Sequence, residues 1–108
     1  MDNFKVIYKI LKHLEAMLDC EETNIEAISA DRLDISRTRW EQILIMLDDE
    51  KYIKGIVSAK SIANSKRHIC EPIEPEITLK GLEYLADNTL MKKAANMAKG
   101  IKDIVPGL

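Results

Sequence analysis

Apolar residues recur at alternating steps of three and four near the start of the chain, which is the spacing of an amphipathic helix. The stripe consists of Phe4, Ile7, Leu11, Leu14 and Leu18, and Val6, Ile10 and Met17 widen it. This pattern predicts a central helix that packs on more than one side. Asp2 or Asn3 is expected to cap its start, and the polar run 19–24 to end it.

The segment from Ile25 to Ile56 has the order helix, tight turn, helix and strand. A short helix is predicted over residues 26–32. Asp34 then occupies the turn, where a residue that tolerates positive φ is needed. Ser36 is placed to cap a third helix, in which Trp40 belongs to the buried face. The residues expected to face outward or sideways are Thr38, Arg39, Gln42, Ile45 and Asp49.

The next residues predict a β-hairpin, a wing, that begins immediately after the third helix. Residues 52–58 are rich in β-branched side chains and are expected to form a strand. Residues 61–65 contain turn formers, and residues 66–70 are the expected return strand. Pro72 and Pro75 cannot donate ladder hydrogen bonds, so the pairing should end before them.

Two further helices are predicted after the hairpin. Thr78 is expected to cap the first, whose apolar side contains Leu79, Leu82 and Leu85 beside Tyr84. The second is expected over residues 89–105, with an apolar stripe formed by Leu90, Ala94, Met97, Ile101 and Ile104. The stripe is expected to pack against the first helix, and a homodimer seam through this C-terminal helix is the alternative.

Together these elements predict a mainly α (α+β) fold, a winged helix-turn-helix with a two-stranded wing and additional C-terminal helices. We expect a single domain over residues 1–108, with a core at 1–88 and a C-terminal helix at 89–105. With 108 residues, one domain with a real core is the natural size.

Composition narrows the functional classes. The chain is 46% hydrophobic and 31% charged, as soluble globular proteins are, and neither a membrane span nor a secretion signal is recognisable. We therefore expect a cytoplasmic protein.

The cysteines and the known catalytic motifs give no sign of chemistry. Cys20 and Cys70 are far apart and outside metal-ligand spacing, and we expect both to be buried or half-buried. No phosphate loop or nucleophile motif occurs, so we expect no catalytic residues, no metal, no cofactor and no enzymatic activity.

Three segments carry a resemblance to a known family. Residues Tyr8–Lys12, Trp40–Gly55 and Pro75–Leu85 resemble the YjcQ family, and the similarity extends to Lys93-Ala94 and Ile101–Asp103. This is a group of small winged-helix proteins from Firmicutes and their phages. The resemblance covers nearly the whole chain and supports the fold. It implies a phage or mobile-element context and assigns no activity.

A winged helix suggests binding to double-stranded DNA, as a transcriptional regulator. Base edges are normally reached from the first turns of the third helix, and the wing contacts phosphates. The candidate residues are Arg37, Thr38, Arg39 and Gln42 on the helix, and Lys60, Lys66 and Arg67 in the wing. Residues 56–70 contain these three cations and no acid. The alternative is that the arginines are ordinary surface residues and that the wing cations only protect a strand edge.

Other features favour a non-enzymatic module that binds a protein partner. The net charge is −2, and the third helix ends in Asp48, Asp49 and Glu50, which phosphates would repel. An outward apolar residue there suits a protein at least as well as DNA. The candidate partner-binding residues are Ile45 and Met46 on the third helix and Leu90, Met97 and Ile101 on the last.

Overall fold

A long N-terminal helix lies at the centre of the fold. The computed structural model describes residues 2–61 and 63–87. Helix α1 (Asn3–Ala16) begins where the side chain of Asp2 accepts a hydrogen bond from the backbone N–H of Phe4, at 2.9 Å. Its buried residues are Val6, Ile10, Leu11 and Leu14. The cap and the middle of the predicted stripe are therefore confirmed.

The two ends of the predicted stripe are wrong. Phe4 is 62% exposed and Leu18 is 59% exposed. Leu18 belongs to a 3₁₀ turn (Met17–Asp19) that follows α1. The tighter winding of a 3₁₀ turn rotates its side chains away from an α-helical stripe. At the other end, the buried positions begin only at Val6, one turn into the helix.

The second helix is shorter than predicted and is interrupted. A 3₁₀ turn (Ile25–Ile28) precedes helix α2 (Ala30–Leu33), where one helix over 26–32 was expected. Ser29 separates the two because its backbone is extended, with φ −71° and ψ 163°. Its hydroxyl instead caps α2 by accepting from the N–H of Arg32 at 3.3 Å, the local hydrogen bonding by which serine favours helix starts.

Helix α3 (Arg37–Asp49) begins directly after the predicted cap, Ser36, and buries Trp40 as predicted. The indole N–H of Trp40 donates to the carbonyl of Ile28 at 2.8 Å. This bond connects α3 to the preceding segment, residues 25–36, which is called the corner below. The expectation that Ile45 faces outward is wrong, because Ile45 is only 3% exposed. A strand of the following hairpin packs against α3 and covers this side of the helix.

Four short strands form two antiparallel pairs. Strand β1 (Ile53–Lys54) pairs with β4 (Glu76–Ile77), and β2 (Ser58–Ser61) pairs with β3 (Asn64–Ile69). The single strand predicted over 52–58 is therefore wrong. Gly55 divides it, since its φ of +91° turns the chain and a Cβ there would collide with the carbonyl oxygen of Glu74. The return strand is confirmed and begins two residues earlier than predicted.

Helix α4 (Leu79–Asp87) closes the described part of the chain. Thr78 caps it as predicted, its hydroxyl accepting from the N–H of Gly81 at 3.1 Å. The apolar side is formed by Leu85, Leu82 and Tyr84, which pack on the core, whereas Leu79 is exposed, contrary to the prediction. The helix predicted over 89–105 lies outside the described residues.

The result is a small, mostly helical α+β fold with two two-stranded sheets. One hydrophobic cluster joins the elements, with residues from α1, the corner, α3, β1, β3, β4 and α4. In the described ranges, no helix is both long and apolar enough to cross a membrane.

Candidate nucleic-acid interface

The corner before α3 presents the first turn of that helix to solvent. Asp34 ends α2 in the left-handed conformation, with φ 58° and ψ 46°, as predicted. Its N–H donates to the carbonyls of Ala30 and Asp31, which closes α2. Two residues later, the hydroxyl of Ser36 accepts from the N–H of Arg39 at 3.1 Å and caps α3, also as predicted. The turn therefore leaves residues 37–39 exposed at the helix start.

Arg37 is exposed but already engaged with its own chain. Its Nη2 atom lies 3.3 Å from a carboxylate oxygen of Glu71 and 3.8 Å from one of Glu41. The guanidinium also stacks over the ring of Trp40, with Cζ 4.6 Å from the ring centroid. A base contact by Arg37 would require it to leave two carboxylates and an aromatic face.

Thr38 and Arg39 are the open residues of this turn. Both are exposed, and Arg39 forms no ion pair within the described part of the chain. A guanidinium without an internal carboxylate keeps its donors available for a ligand. Of the predicted base-reading residues, these two are the best placed.

Gln42 is partly exposed, and its side chain contacts the hairpin. Its side-chain amide donates to the backbone carbonyl of Arg67 in β3 at 2.9 Å, and the residue is half-buried. This hydrogen bond uses one of the donors with which a glutamine would read adenine. Gln42 therefore fixes the position of β3 relative to α3.

Glu41 is a residue whose role the sequence interpretation missed. It is 8% exposed, and its carboxylate accepts a hydrogen bond from the N–H of Ile69 at 3.4 Å. Its other oxygen lies 3.1 Å from Nδ1 of His68. A buried carboxylate is stable only when such partners are present. The signal in the sequence was its spacing, because Glu41 precedes Leu44 and Ile45 by three and four residues on one helix face.

Arg67 pairs with Asp49 at the last residue of α3. The guanidinium contacts both carboxylate oxygens, and one of these hydrogen bonds is 3.2 Å long. The hydrogen bond from Arg67 lowers the pKa of Asp49 below its ordinary value of 3.8, and the same bond raises the pKa of Arg67. The positive charge of Arg67, which was predicted to contact a phosphate, is thus neutralised by a carboxylate of the same chain.

The hairpin lysines complete the predicted set. Lys60 lies opposite Arg67 in the β2–β3 ladder, and Lys66 is the residue before it. Both lysines are exposed, and Lys60 forms no ion pair in the described ranges. They place positive charge beside the α3–β3 contact without an acidic neighbour in β2 or β3.

The direction of β3 separates the candidate residues into two groups. Arg67 reaches the last residue of α3, whereas Glu71, four residues later, reaches Arg37 in the first turn. The chain from 67 to 71 therefore runs antiparallel to α3. From Arg39 to Asp49 the helix rises about 15 Å. The backbone of Arg67 lies at the level of Gln42, so its neighbours Lys60 and Lys66 lie farther along α3 than Arg39 and would contact a different part of a duplex.

The partner-binding candidates have different outcomes. Met46 is 54% exposed, whereas Ile45 is buried in the core. Leu90, Met97 and Ile101 lie outside the described residues.

The two cysteines offer no buried site. Cys20 and Cys70 are exposed free thiols, which corrects the expectation that they are buried or half-buried. In the part of the chain that the structure describes, no group of three His, Cys, Asp or Glu side chains could hold a metal ion.

Comparison with known proteins confirms the resemblance seen in the sequence. The chain matches the family described as YjcQ protein over residues 8–104, nearly its whole length. No curated protein and no solved structure matches it.

Proposed function

The chain belongs to the YjcQ family, and we propose that it is a non-enzymatic winged-helix protein that binds double-stranded DNA as a transcriptional regulator. In this proposal α3 is the recognition helix and the β2–β3 hairpin is the wing. The supporting observation is the exposed turn at residues 37–39, at the start of a helix whose later residues contact a hairpin that carries three cations and no acid.

The internal ion pairs define a smaller contact set than the sequence predicts. Arg37 and Arg67 are each paired with carboxylates, and Gln42 donates to the backbone of β3. Thr38, Arg39, Lys60 and Lys66 stay in the contact set because all four are exposed. Thr38 and Arg39 would read bases in the major groove, and Lys60 and Lys66 would neutralise phosphates to one side.

So few cations predict modest, salt-dependent binding. Each neutralised phosphate contributes a slope of about −0.9 to the dependence of log K on log salt concentration. The contact set therefore predicts a slope of roughly −2 to −3, shallower than that of strongly basic DNA-binding proteins. Tight binding, if it occurs, must come from base contacts at a specific site.

The test is a fluorescence-anisotropy titration of a mixed-sequence duplex at several salt concentrations. We expect Lys60→Ala to weaken binding and to reduce the salt slope by about one unit, and Arg39→Ala to weaken binding through the loss of a base contact. Lys9→Ala, which removes an exposed lysine from α1, is the matched control and should change little. Absence of salt-dependent association up to about 100 µM, the weak end of non-specific affinities, would refute DNA binding.

Binding of a protein partner is the second candidate function, and Met46 favours it. An exposed methionine on α3, one turn from Gln42 and beside the Asp49–Arg67 pair, gives an apolar centre with a charged edge, as interfaces have. A pull-down with wild type and Met46→Glu distinguishes this function. Loss of a partner with the variant still folded supports it, and an unchanged set of partners argues against it. Met46→Leu is the control that keeps the apolar surface.

A further inference from the structure

Helix α4 and Tyr52, which lies between α3 and β1, line a small open cavity away from the candidate DNA-binding residues. The cavity has a volume of about 280 Å³. Its lining residues are Tyr52, Lys80, Glu83, Tyr84 and Asp87. The four residues from α4 are spaced by three, one and three, so they share one face of the helix. One face of α4 therefore lines one side of the cavity, and Tyr52 lines the other.

Gly81 allows this close approach of α4 to Tyr52. A Cβ at position 81 would collide with the backbone carbonyl oxygen of Tyr52 and with the side chain of Ile77. The hydroxyl of Thr78 also donates to the carbonyl of Lys51 at 2.5 Å, which fixes the helix start beside the same segment. These two contacts hold α4 against the connection that contains Tyr52 and so fix the two sides of the cavity relative to each other.

Tyr52 and Tyr84 form an aromatic pair, and the ammonium group of Lys80 lies over one of the two rings. Their ring centroids are 5.3 Å apart and their planes are inclined by 55°. The ammonium of Lys80 lies 5.2 Å from the centroid of the Tyr52 ring, which is cation–π distance. The protein's own side chain shows that this ring face accepts positive charge.

The charges of the lining exceed what Lys80 neutralises. Glu83 and Asp87 are exposed carboxylates, and within the described ranges neither forms an ion pair. One cation and two anions leave the lining with a net charge of −1. An aromatic face with exposed carboxylates beside it matches the two requirements of a bound organic cation.

We propose that this cavity binds the guanidinium group of an arginine side chain presented by a partner protein. Guanidinium fits better than ammonium because it is planar, so it can stack on a tyrosine while its edge donates to carboxylates. Lys80 lies in the position that the ligand would take, and because it is exposed it can move into solvent when the ligand binds. The site is independent of DNA binding, since none of its residues belongs to α3 or to the hairpin.

The test is an NMR titration of ¹⁵N-labelled full-length protein with the peptide N-acetyl-Gly-Arg-Gly-amide. A single cation is expected to bind in the millimolar range, so the peptide is taken to about 10 mM. We expect saturable shifts at the amides of residues 52 and 80–87. The glutamine and lysine versions of the peptide are the ligand controls. Absence of saturable shifts, equal shifts with glutamine, or equal affinity for lysine would each overturn the proposal.

Variants separate binding in the cavity from general attraction to an acidic protein. Glu83→Gln and Asp87→Asn should each weaken peptide binding about threefold or more, whereas Lys80→Ala should strengthen it, because it frees the ring and removes the competing charge. Glu22→Gln, at an exposed acid outside the lining, should leave affinity unchanged. Equal weakening by Glu22→Gln, or weakening by Lys80→Ala, would refute the site.

Discussion

Two regions of one surface differ in how their polar residues are used. In the anchored region, Glu41, Gln42 and Asp49 of α3 each contact β3. In the open region, Thr38, Arg39 and Lys60 are exposed, and neither cation is in an ion pair within the described ranges. The difference shows that similar side chains on one helix can either hold the fold together or remain available for a ligand.

Helical geometry explains this division. Gln42 and Asp49 are seven residues apart and therefore lie on nearly the same face of α3, so a single strand can contact both. That strand, β3, ends at Ile69 beside Glu41, before it reaches the first turn of the helix. Thr38 and Arg39 stay open because no strand residue covers them.

The largest effect is expected from removing the buried carboxylate of the anchored region. Glu41→Ala leaves the N–H of Ile69 without its side-chain acceptor and removes one partner of His68, so the free energy of unfolding should fall by about 1–3 kcal/mol. Urea denaturation measures the change. Glu50→Ala, at an exposed acid at the end of α3, should change it by less than about 0.5 kcal/mol. Equal effects of the two variants would contradict the anchoring role.

A smaller effect is expected from Gln42. Gln42→Ala removes one hydrogen bond to the backbone of β3 and should lower the free energy of unfolding by about 0.5–1.5 kcal/mol. Amide hydrogen exchange should quicken in β3 more than in α1, because the lost bond holds the hairpin. Thr38→Ala, in the open region, is the control and should affect neither measurement. If β3 exchange is unchanged, Gln42 is not an anchor.

The smallest effect is expected from the exposed Asp49–Arg67 pair, and it should depend on pH. The pKa of Asp49 is lowered in the fold, so its contribution to stability is complete above about 3.8 and is lost as pH falls through the folded-state value. Wild type should therefore be slightly more stable than Asp49→Asn near neutral pH, and the gap should close in acid. High salt should also reduce the gap, because the pair is exposed.

Chemical denaturation of both proteins at stepwise lower pH measures this gap. Glu50→Gln is the control, since it removes a neighbouring charge that is in no ion pair within the described ranges. A gap between wild type and Asp49→Asn that stays constant or widens as pH falls would contradict the assigned role of the pair.

Local chemistry made some elements predictable. Asp34 tolerates positive φ, Ser36 and Thr78 can accept from helix N–H groups, and the periodicity around Trp40 defines a buried face. Each of these preferences acts over a few residues, so the sequence alone is sufficient. The strand prediction over 52–58 failed because β-branched residues favour extended backbone without specifying a partner. Only the approach of Glu74 to Gly55 decides where the chain turns.

The candidate site was harder to predict from the sequence than the helix caps, because its residues were chosen only by residue type and by position on one helix. Arg37 and Arg39 are equivalent in that respect, yet Glu71, which is distant in sequence, contacts only Arg37. Likewise, Ile45 was expected outside because its position on an isolated helix is lateral. It lies four and three residues after Glu41 and Gln42, on the face of α3 that contacts β3, and it is buried there.

The sequence by itself determined the family, the order of the helices, and the capped corner that begins α3, since these follow from local conformational preferences and hydrophobic spacing. Only the tertiary structure decided which of the polar residues are available. A hydrogen bond or ion pair needs two groups at a fixed distance, and the long-range partners here lie 18 to 34 residues apart in the chain, from Asp49 and Arg67 to Arg37 and Glu71. Within the described ranges, those pairs engage Arg37 and Arg67 and leave Arg39 and Lys60 as exposed cations in no ion pair.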